Sequence, residues 1–382
     1  MEIYLDNSST TMAYPECAEL VSSVMTRDYG NPSSLHRKGI AAEKLIKEAK
    51  RSIADTLKVK EKEIYFVSGG TEGDNLAILG TAGAKRGKHI IASEIEHPAV
   101  LNALEHLEKK GYRVDYIPVD KNGRCSVEKF KALIRQDTVL ATVMLVNNEL
   151  GTIQPIREMS DILKKKNPGA TFHVDAVQGY GKIPFTAASL GADLITLSSH
   201  KIHGPKGMGA LYVKEGTRLA PIIFGGGQQN NLRPGTENVP GIAGFGLAAK
   251  LAHTDFEKKT EKMNELRLRL KKRITDEIKD ISVNTPEEGT APHILNVSFK
   301  GAKSEVILHT LEKDGIYVSS GSACSSHKKA PSYVLTAIGL EKEYIDGSIR
   351  FSLSEFNTAE EIDFVADKLK RAVEQIRKLM KK

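Results

Sequence analysis

Between residues 64 and 213 the chain alternates repeatedly between short apolar runs and helical stretches. "IYFV" (64–67), "HIIAS" (89–93), "VDYIPV" (114–119), "VLATVMLV" (139–146), "TFHVDA" (171–176), "DLITLS" (193–198) and "ALYV" (210–213) each read as a strand. Helices are expected between them, one starting at Thr71 and another at Pro98. Strands alternating with helices predict a mostly parallel sheet covered on both faces. Ahead of this series, Leu35, Ala42, Leu45, Ile46, Ala49, Ile53 and Leu57 recur at three- and four-residue spacings and predict one amphipathic helix over 35–57.

Beyond about residue 240 the pattern changes. A long charged helix is predicted over 240–278, and "HILNVSF" (293–299), "GIYVSS" (315–320) and "SIRFSL" (348–353) read as strands of a smaller sheet. A closing helix from 358 places Ile362, Val365, Leu369, Val373, Ile376 and Leu379 on one stripe. The expected organisation is a large α/β domain over 15–255 and a smaller α+β domain built from 1–14 and 256–382. A chain of 382 residues buries enough surface for two cores.

Composition excludes several functions. The net charge of +7 is spread along the chain, with no arginine-rich block and no interleaved aromatics, so it reads as solvated surface and not as a nucleic-acid face. The longest apolar run, at 139–146, is too short to span a bilayer, and "MEIYLDNSST" lacks the regions of a secretory signal. Three cysteines, Cys17, Cys125 and Cys324, show no CxxC spacing. Neither a disulfide framework nor a zinc site is expected, and a reducing cytoplasm suits the chain. Cys17, Cys125, His173 and His203 are assigned to packing.

Cys324 is different. It lies in "SSGSACSSHKKAP" (319–331), among serines, a glycine and an alanine. A free cysteine usually sits in a core. This segment has little to bury and is expected to open cheaply.

Chemistry collects at the predicted strand ends, where open α/β sheets bind ligands. In "LSSHKIHGPKG" (197–207), Lys201 follows a strand end within a Ser/His/Gly-rich turn. A surface loop lysine and a ligand-binding lysine both remain open at this point. In "HVDAVQ" (173–178), Asp175 sits at another strand end, 26 residues earlier. It either caps the next helix or pairs with a protonated ring nitrogen. "VSGGTEGDN" (67–75) is a strand, a glycine pair and a helix start, a weak phosphate-binding pattern by itself. Pyridoxal phosphate needs both a lysine for its Schiff base and an acidic partner for its pyridinium.

"TEGDN", "EIEHPAV" (94–100), "VNNELGT" (146–152), "HVDAVQ", "SSHKIHGPKG", "RPGTEN" and "SSGSAC" follow in the order and approximate spacing of the NifS/IscS-type cysteine desulfurases. The resemblance runs from "YLDNSSTT" at 4–11 to "SIRFSLSEFNT" at 348–358. It implies the fold type I, aminotransferase class V-like architecture and pyridoxal phosphate as cofactor. It further implies that Lys201 is the Schiff-base lysine, that Asp175 holds the pyridine nitrogen and that Gln178 bonds the ring hydroxyl. His97 would stack on the ring and move protons, and Asn148 would lie near the ring substituents. Gly70, Thr71, Ser198 and His200 would hold the phosphate, with Thr236 reaching the cofactor phosphate of the neighbouring subunit in a homodimer. Arg350, assisted by Asn31, would clamp the substrate carboxylate.

The implied reaction takes sulfur from L-cysteine, releases L-alanine and leaves a persulfide on Cys324. His327, Lys328 and Lys329 are expected to favour its thiolate. The sulfur would pass to an acceptor protein such as an iron–sulfur scaffold or a tRNA-thiolation enzyme. No resident metal is expected, beyond a transient meeting of Cys324 with an iron–sulfur cluster. Two departures stand out: "QNN" (229–231) replaces a common Arg-Gly pair, and "DNSSTT" replaces a common "DNNATT". The chain also stops at "RKLMKK", without the additional scaffold-docking tail of the longer IscS-type proteins. The alternatives are a selenocysteine lyase-type β-eliminating enzyme, or a non-catalytic member of the fold acting as an interaction platform.

Overall fold

A computed structural model describes residues 2–320 and 331–380 of the chain. After β1 (Ile3–Tyr4), a central sheet is built from β2 (Ile64–Val67), β3 (His89–Ser93), β4 (Arg113–Ile117), β5 (Thr138–Thr142), β6 (Thr171–Asp175), β7 (Leu194–Ser198) and β8 (Gly209–Val213). Its order is β2-β8-β7-β6-β5-β3-β4. All neighbours from β7 to β4 run parallel, whereas β8 is antiparallel to both β2 and β7. Every residue of β3, β5, β6, β7 and β8 is buried, as expected where helices cover both faces. The α/β architecture read from the alternation is the one observed.

A second sheet joins β9 (Ile281–Val283), β10 (Ile294–Phe299) and β12 (Ser348–Ser352) antiparallel, in the order β12-β10-β9. Helices Phe256–Glu277 and Ala359–Met380 contribute Leu270, Ile274, Val365, Leu369 and Val373 to the core that Leu295, Val297 and Phe351 form on this sheet. "GIYVSS" behaves differently from the expectation. Only β11 (Ile316–Tyr317) is a strand, and it pairs in parallel with β1, not with β10.

Four further corrections have local causes. The run "VLATVMLV" is a strand only to Thr142: the Met144 N–H turns to the Glu96 carboxylate, while the Val143 and Leu145 N–H groups still donate to the β6 carbonyls of His173 and Asp175. The single helix expected over 240–278 is two, Val239–His253 and Phe256–Glu277. The Thr254 N–H closes the first, and Asp255 turns the chain at φ +52°, a left-handed conformation that Asp tolerates better than most side chains. Leu35 is 96% exposed and precedes helix Arg37–Leu57, whose N-cap is His36. Leu379, in the last turn of the closing helix, is 66% exposed.

Helix Val239–His253 packs on the two N-terminal helices at close range. A Cβ on Gly246 would lie 2.5 Å from Ala49 Cα, and one on Gly244 would lie 2.7 Å from Val21 Cγ2. Glycine lowers helix propensity here, but it permits the contact. Cys17 and Cys125 are buried free thiols, and burial pushes the Cys17 thiol up to about 12. Among the described residues no helix is long and apolar enough to cross a membrane.

Gly246→Ala should lower stability by about 1–3 kcal/mol, although alanine is the better helix former. Urea denaturation measures this, and an unchanged or raised midpoint would refute the close-packing account.

Candidate active site

Strands β6 and β7 end at Asp175 and Ser198, and both residues open onto one cavity of about 370 Å³. Lys201 follows β7 in the single tight turn Ser199–Lys201. Its Nζ donates to the carbonyls of Ser8 and Ser9, the latter at 2.7 Å. Asp175 Oδ1 accepts the Val177 N–H at 2.9 Å. Burial raises the Asp175 carboxyl above its usual range, while the Val177 N–H and the Lys201 ammonium pull it back. Asp175 therefore bonds within its own turn and also lines the cavity.

His97 is the N-cap of helix Pro98–Glu108, where its Nδ1 accepts the Ala99 N–H at 3.1 Å. Burial, then the Lys201 charge, pushes its pKa down to about 4. The ring is neutral near pH 7, and with Nδ1 accepting, its proton sits on Nε2.

The opposite wall is suited to an anion. Gly70 and Thr71 begin helix Gly70–Ala84, whose first N–H groups have no helical partners. A Cβ on Gly70 would press to 2.9 Å from Val177 Cγ2. Ser198 Oγ is buried without a hydrogen-bond partner among the described residues. His200 Nδ1 lies 3.1 Å from Thr10 Oγ1, and burial, then Lys201 and Lys206, lowers its pKa to about 4. An adjoining opening shares Gly70, Thr71 and His200 and adds Lys206.

Arg350 reaches the cavity from the middle of β12 and is only 3% exposed. Its Nη1 donates to the Asn148 carbonyl at 2.8 Å, and its Nη2 donates to Asp6 Oδ1 at 2.9 Å and Ser9 Oγ at 2.7 Å. Arg350 Nε and Asn148 Oδ1 are buried without partners among the described residues. Gln178 Nε2 donates to the Ser8 carbonyl at 2.9 Å.

Two predicted residues are not in this cavity, and a third lies outside the described residues. Asn31 lies in an exposed turn, where its Oδ1 accepts the Ser33 N–H at 2.9 Å. Thr236 is exposed on the loop 225–238. Cys324 falls outside the described residues. The Thr236 loop is anchored by Arg233, which donates from Nε and Nη2 to the two Glu72 oxygens at 2.8 and 3.2 Å. Its "QNN" segment places Gln229, Asn230 and Asn231 in succession at φ +46°, +57° and +59°. Each such non-glycine residue costs about 1 kcal/mol. The Gln229 amide offsets part of that by pairing with both the N–H and the carbonyl of Phe66, at 2.6 and 2.8 Å.

The sequence reading missed several participants. Asp6, Ser8 and Ser9 belong to a motif noted only for its departure from a common pattern. Glu149 and Asp74 lie inside quoted motifs, and both line the cavity. Burial, opposed by the Ser332 hydroxyl and Arg350, raises Glu149 to about 7, and Glu149 Oε2 accepts that hydroxyl at 2.6 Å. Asp74 is raised well above the normal range by burial and by neighbouring Asp175. Spacing alone does not separate such carboxyls from capping residues; a buried neighbour does.

The sequence family described as aminotransferase class-V matches residues 3–365. The cysteine desulfurase IscS of Dictyoglomus turgidum is 44% identical over 378 residues, covering 98% of this chain and 95% of its own. Among solved structures, a NifS-like protein superposes with a TM-score of 0.93 at 37% identity, covering 98% of this chain and 100% of that one. SspA in complex with cysteine matches with a TM-score of 0.80 at 33% identity, covering 93% of this chain and 100% of that one.

Beside His97, Glu96 is fully buried: Oε1 accepts the Ser93 hydroxyl and the Met144 N–H, and burial raises the carboxyl to about 8. The folded chain keeps this proton where the unfolded chain, with an ordinary carboxyl, has lost it. The stability from this group is therefore full below about 4.5 and is lost as pH rises through about 8. Glu96→Gln should gain on wild type across that window, at up to ~1.4 kcal/mol per pH unit. Denaturation midpoints at pH 5 to about 8 check this, and a pH-independent gap between the two proteins contradicts it.

Proposed function

The chain belongs to the aminotransferase class-V family, and from that premise we propose that it is a cysteine desulfurase that moves the sulfur of L-cysteine to Cys324 and releases L-alanine. The observation that carries the reading is the convergence of the Lys201 amine, the buried Asp175 carboxyl and the buried Arg350 guanidinium on one cavity. An α-amino acid offers complementary groups, an amine and a carboxylate on a single carbon.

The donor set fits pyridoxal phosphate. The Ser198 hydroxyl, without a partner among the described residues, and the helix start at Gly70 and Thr71 suit a phosphate, with His200 beside them. Asp175 suits a pyridinium nitrogen, Gln178 and Asn148 the ring substituents, and His97 a ring face. When bound, this cofactor supplies an electron sink that stabilises negative charge on the substrate Cα.

The chain's own groups do the rest. Lys201 Nζ takes the Cα proton, and the neutral His97 ring keeps its own proton on Nε2. Arg350 holds the carboxylate, and Asn31 is assigned to assist it. The Cys324 thiolate attacks the substrate sulfur; an S–S bond forms as Cβ–Sγ breaks, the bonding pair stays with carbon, and protonation yields alanine. His327, Lys328 and Lys329, which follow Cys324 in sequence, are assigned to favour the thiolate. The persulfide then passes its sulfur to an acceptor protein, an iron–sulfur scaffold or a tRNA-thiolation enzyme. Thr236, exposed on its anchored loop, is assigned to the cofactor phosphate of a second copy, which makes the working unit a homodimer. Residues 15–255 are assigned to the cofactor-binding unit, and 1–14 with 256–382 to the unit that brings Cys324.

Purified protein loaded with pyridoxal phosphate should show a visible absorption band that Lys201→Ala loses. Cys324→Ala should keep the band and release no alanine from L-cysteine under single-turnover conditions. Full alanine release by Cys324→Ala sinks the mechanism, and a wild type that cannot take up the cofactor sinks the assignment.

A further inference from the structure

We propose that Ser9 is a positioning residue for the substrate, and that its hydroxyl sets the affinity of Arg350 for the α-carboxylate. The inference rests on the desulfurase reading and deepens it. Ser9 touches both groups that an amino acid must meet. Its carbonyl accepts Lys201 Nζ at 2.7 Å, and its hydroxyl accepts Arg350 Nη2 at 2.7 Å. An amino acid carries its nitrogen and carboxylate on one carbon, so a lysine and an arginine that handle them must be held at a set spacing. Ser9 spans that spacing within one residue, on a turn closed by its own N–H donating to the Asp6 carbonyl at 3.0 Å.

The hydroxyl also determines how tightly Arg350 is held in waiting. Ser9 Oγ donates to Asp6 Oδ1 at 2.7 Å, and the same Oδ1 accepts Arg350 Nη2 at 2.9 Å. Both Nη2 protons are therefore engaged, one by the carboxylate and one by the hydroxyl. The neighbouring Nε–H is buried and has no partner among the described residues. A carboxylate binding side-on needs Nε and Nη2 together, so it must displace one of the two Nη2 acceptors. The incoming anion is repelled by the Asp6 carboxylate and takes over its charge-paired place on Nη2, so Asp6 is the acceptor that yields while the hydroxyl stays. While the hydroxyl is in place, Asp6 Oδ1 divides its lone pairs between two donors. Without it, Asp6 would serve Arg350 alone, and the tightened, buried ion pair would compete with the substrate.

The test compares cofactor-loaded wild type, Ser9→Ala and Ser9→Thr. Kinetics of alanine release from L-cysteine give KM and kcat. Calorimetric titration with L-alanine and with ethylamine, which lacks a carboxylate, gives binding without turnover. Ser9→Ala should raise KM for L-cysteine and Kd for L-alanine about tenfold, with most of the loss on KM and with ethylamine binding unmoved. Ser9→Thr, which keeps the hydroxyl, should stay near wild type. The inference is overturned if the Ser9→Ala values stay within about twofold of wild type, if they fall, or if ethylamine weakens in step with L-alanine. Failure of Ser9→Thr to preserve binding overturns it too. A wild type that releases no alanine from L-cysteine rejects the desulfurase reading instead, and the L-alanine-against-ethylamine comparison still decides the role of Ser9.

Discussion

The Lys201 ammonium rests on the carbonyl oxygens of Ser8 and Ser9, and the architecture of the cavity is arranged around that contact. It ties the end of β7, in the central sheet, to the N-terminal segment. That segment is tied in turn to the smaller sheet, through Asn7 and Ser8 N–H groups that donate to Ser352. Thr11 donates to the His200 carbonyl, and the His203 N–H donates to Thr11 Oγ1 at 2.8 Å. His203 stands at φ +62°, two residues past Lys201. A histidine there is strained, and the bonds that its N–H and Nδ1–H donate to Thr11 Oγ1 and the Met12 carbonyl hold it in place. The reactive turn is thus over-determined from a segment distant in sequence.

Charge in the site is governed by burial more than by ion pairing. His97, His173, His200 and His203 are all pushed to low pKa, first of all by burial, and stay neutral. Burial and the neighbouring Asp175 raise the Asp74 carboxyl well above the usual range, whereas the Val177 N–H and the Lys201 ammonium pull Asp175 back toward its ionised form. The result is a small number of charges held among buried groups, where each acts more strongly than it would in bulk water.

Much of this was readable from the chain. Seven short apolar runs gave the central sheet, because strands buried on both faces have no polar alternation to confuse the pattern. Lys201 and Asp175 were visible because strand ends are where such sheets expose side chains. The helix break at Thr254–Asp255 was not, since a charged, apolar-striped run continues across it and only a backbone angle marks the turn. Leu35 matched a helical spacing by coincidence, one step before the His36 cap. The Asp6–Ser9–Arg350 cluster was hidden for another reason: Arg350 lies 344 residues from Asp6 and 341 from Ser9. No local pattern reports such a contact. Asn31 and Thr236 could be named only from the family resemblance, and this chain alone keeps both outside its cavity.

The Gln229 side chain has a meaning for the sheet as well as for its loop. Strand β2 is the last in the order, and its outer side would present unpaired N–H and C=O groups to solvent. Gln229 takes both groups of Phe66 with one amide, in the manner of a neighbouring strand's peptide unit. A second chain approaching that edge finds its central hydrogen-bonding pair already used. The three left-handed residues that aim Gln229 there act as a stopper, and they close the middle of the β2 edge to a strand from another molecule.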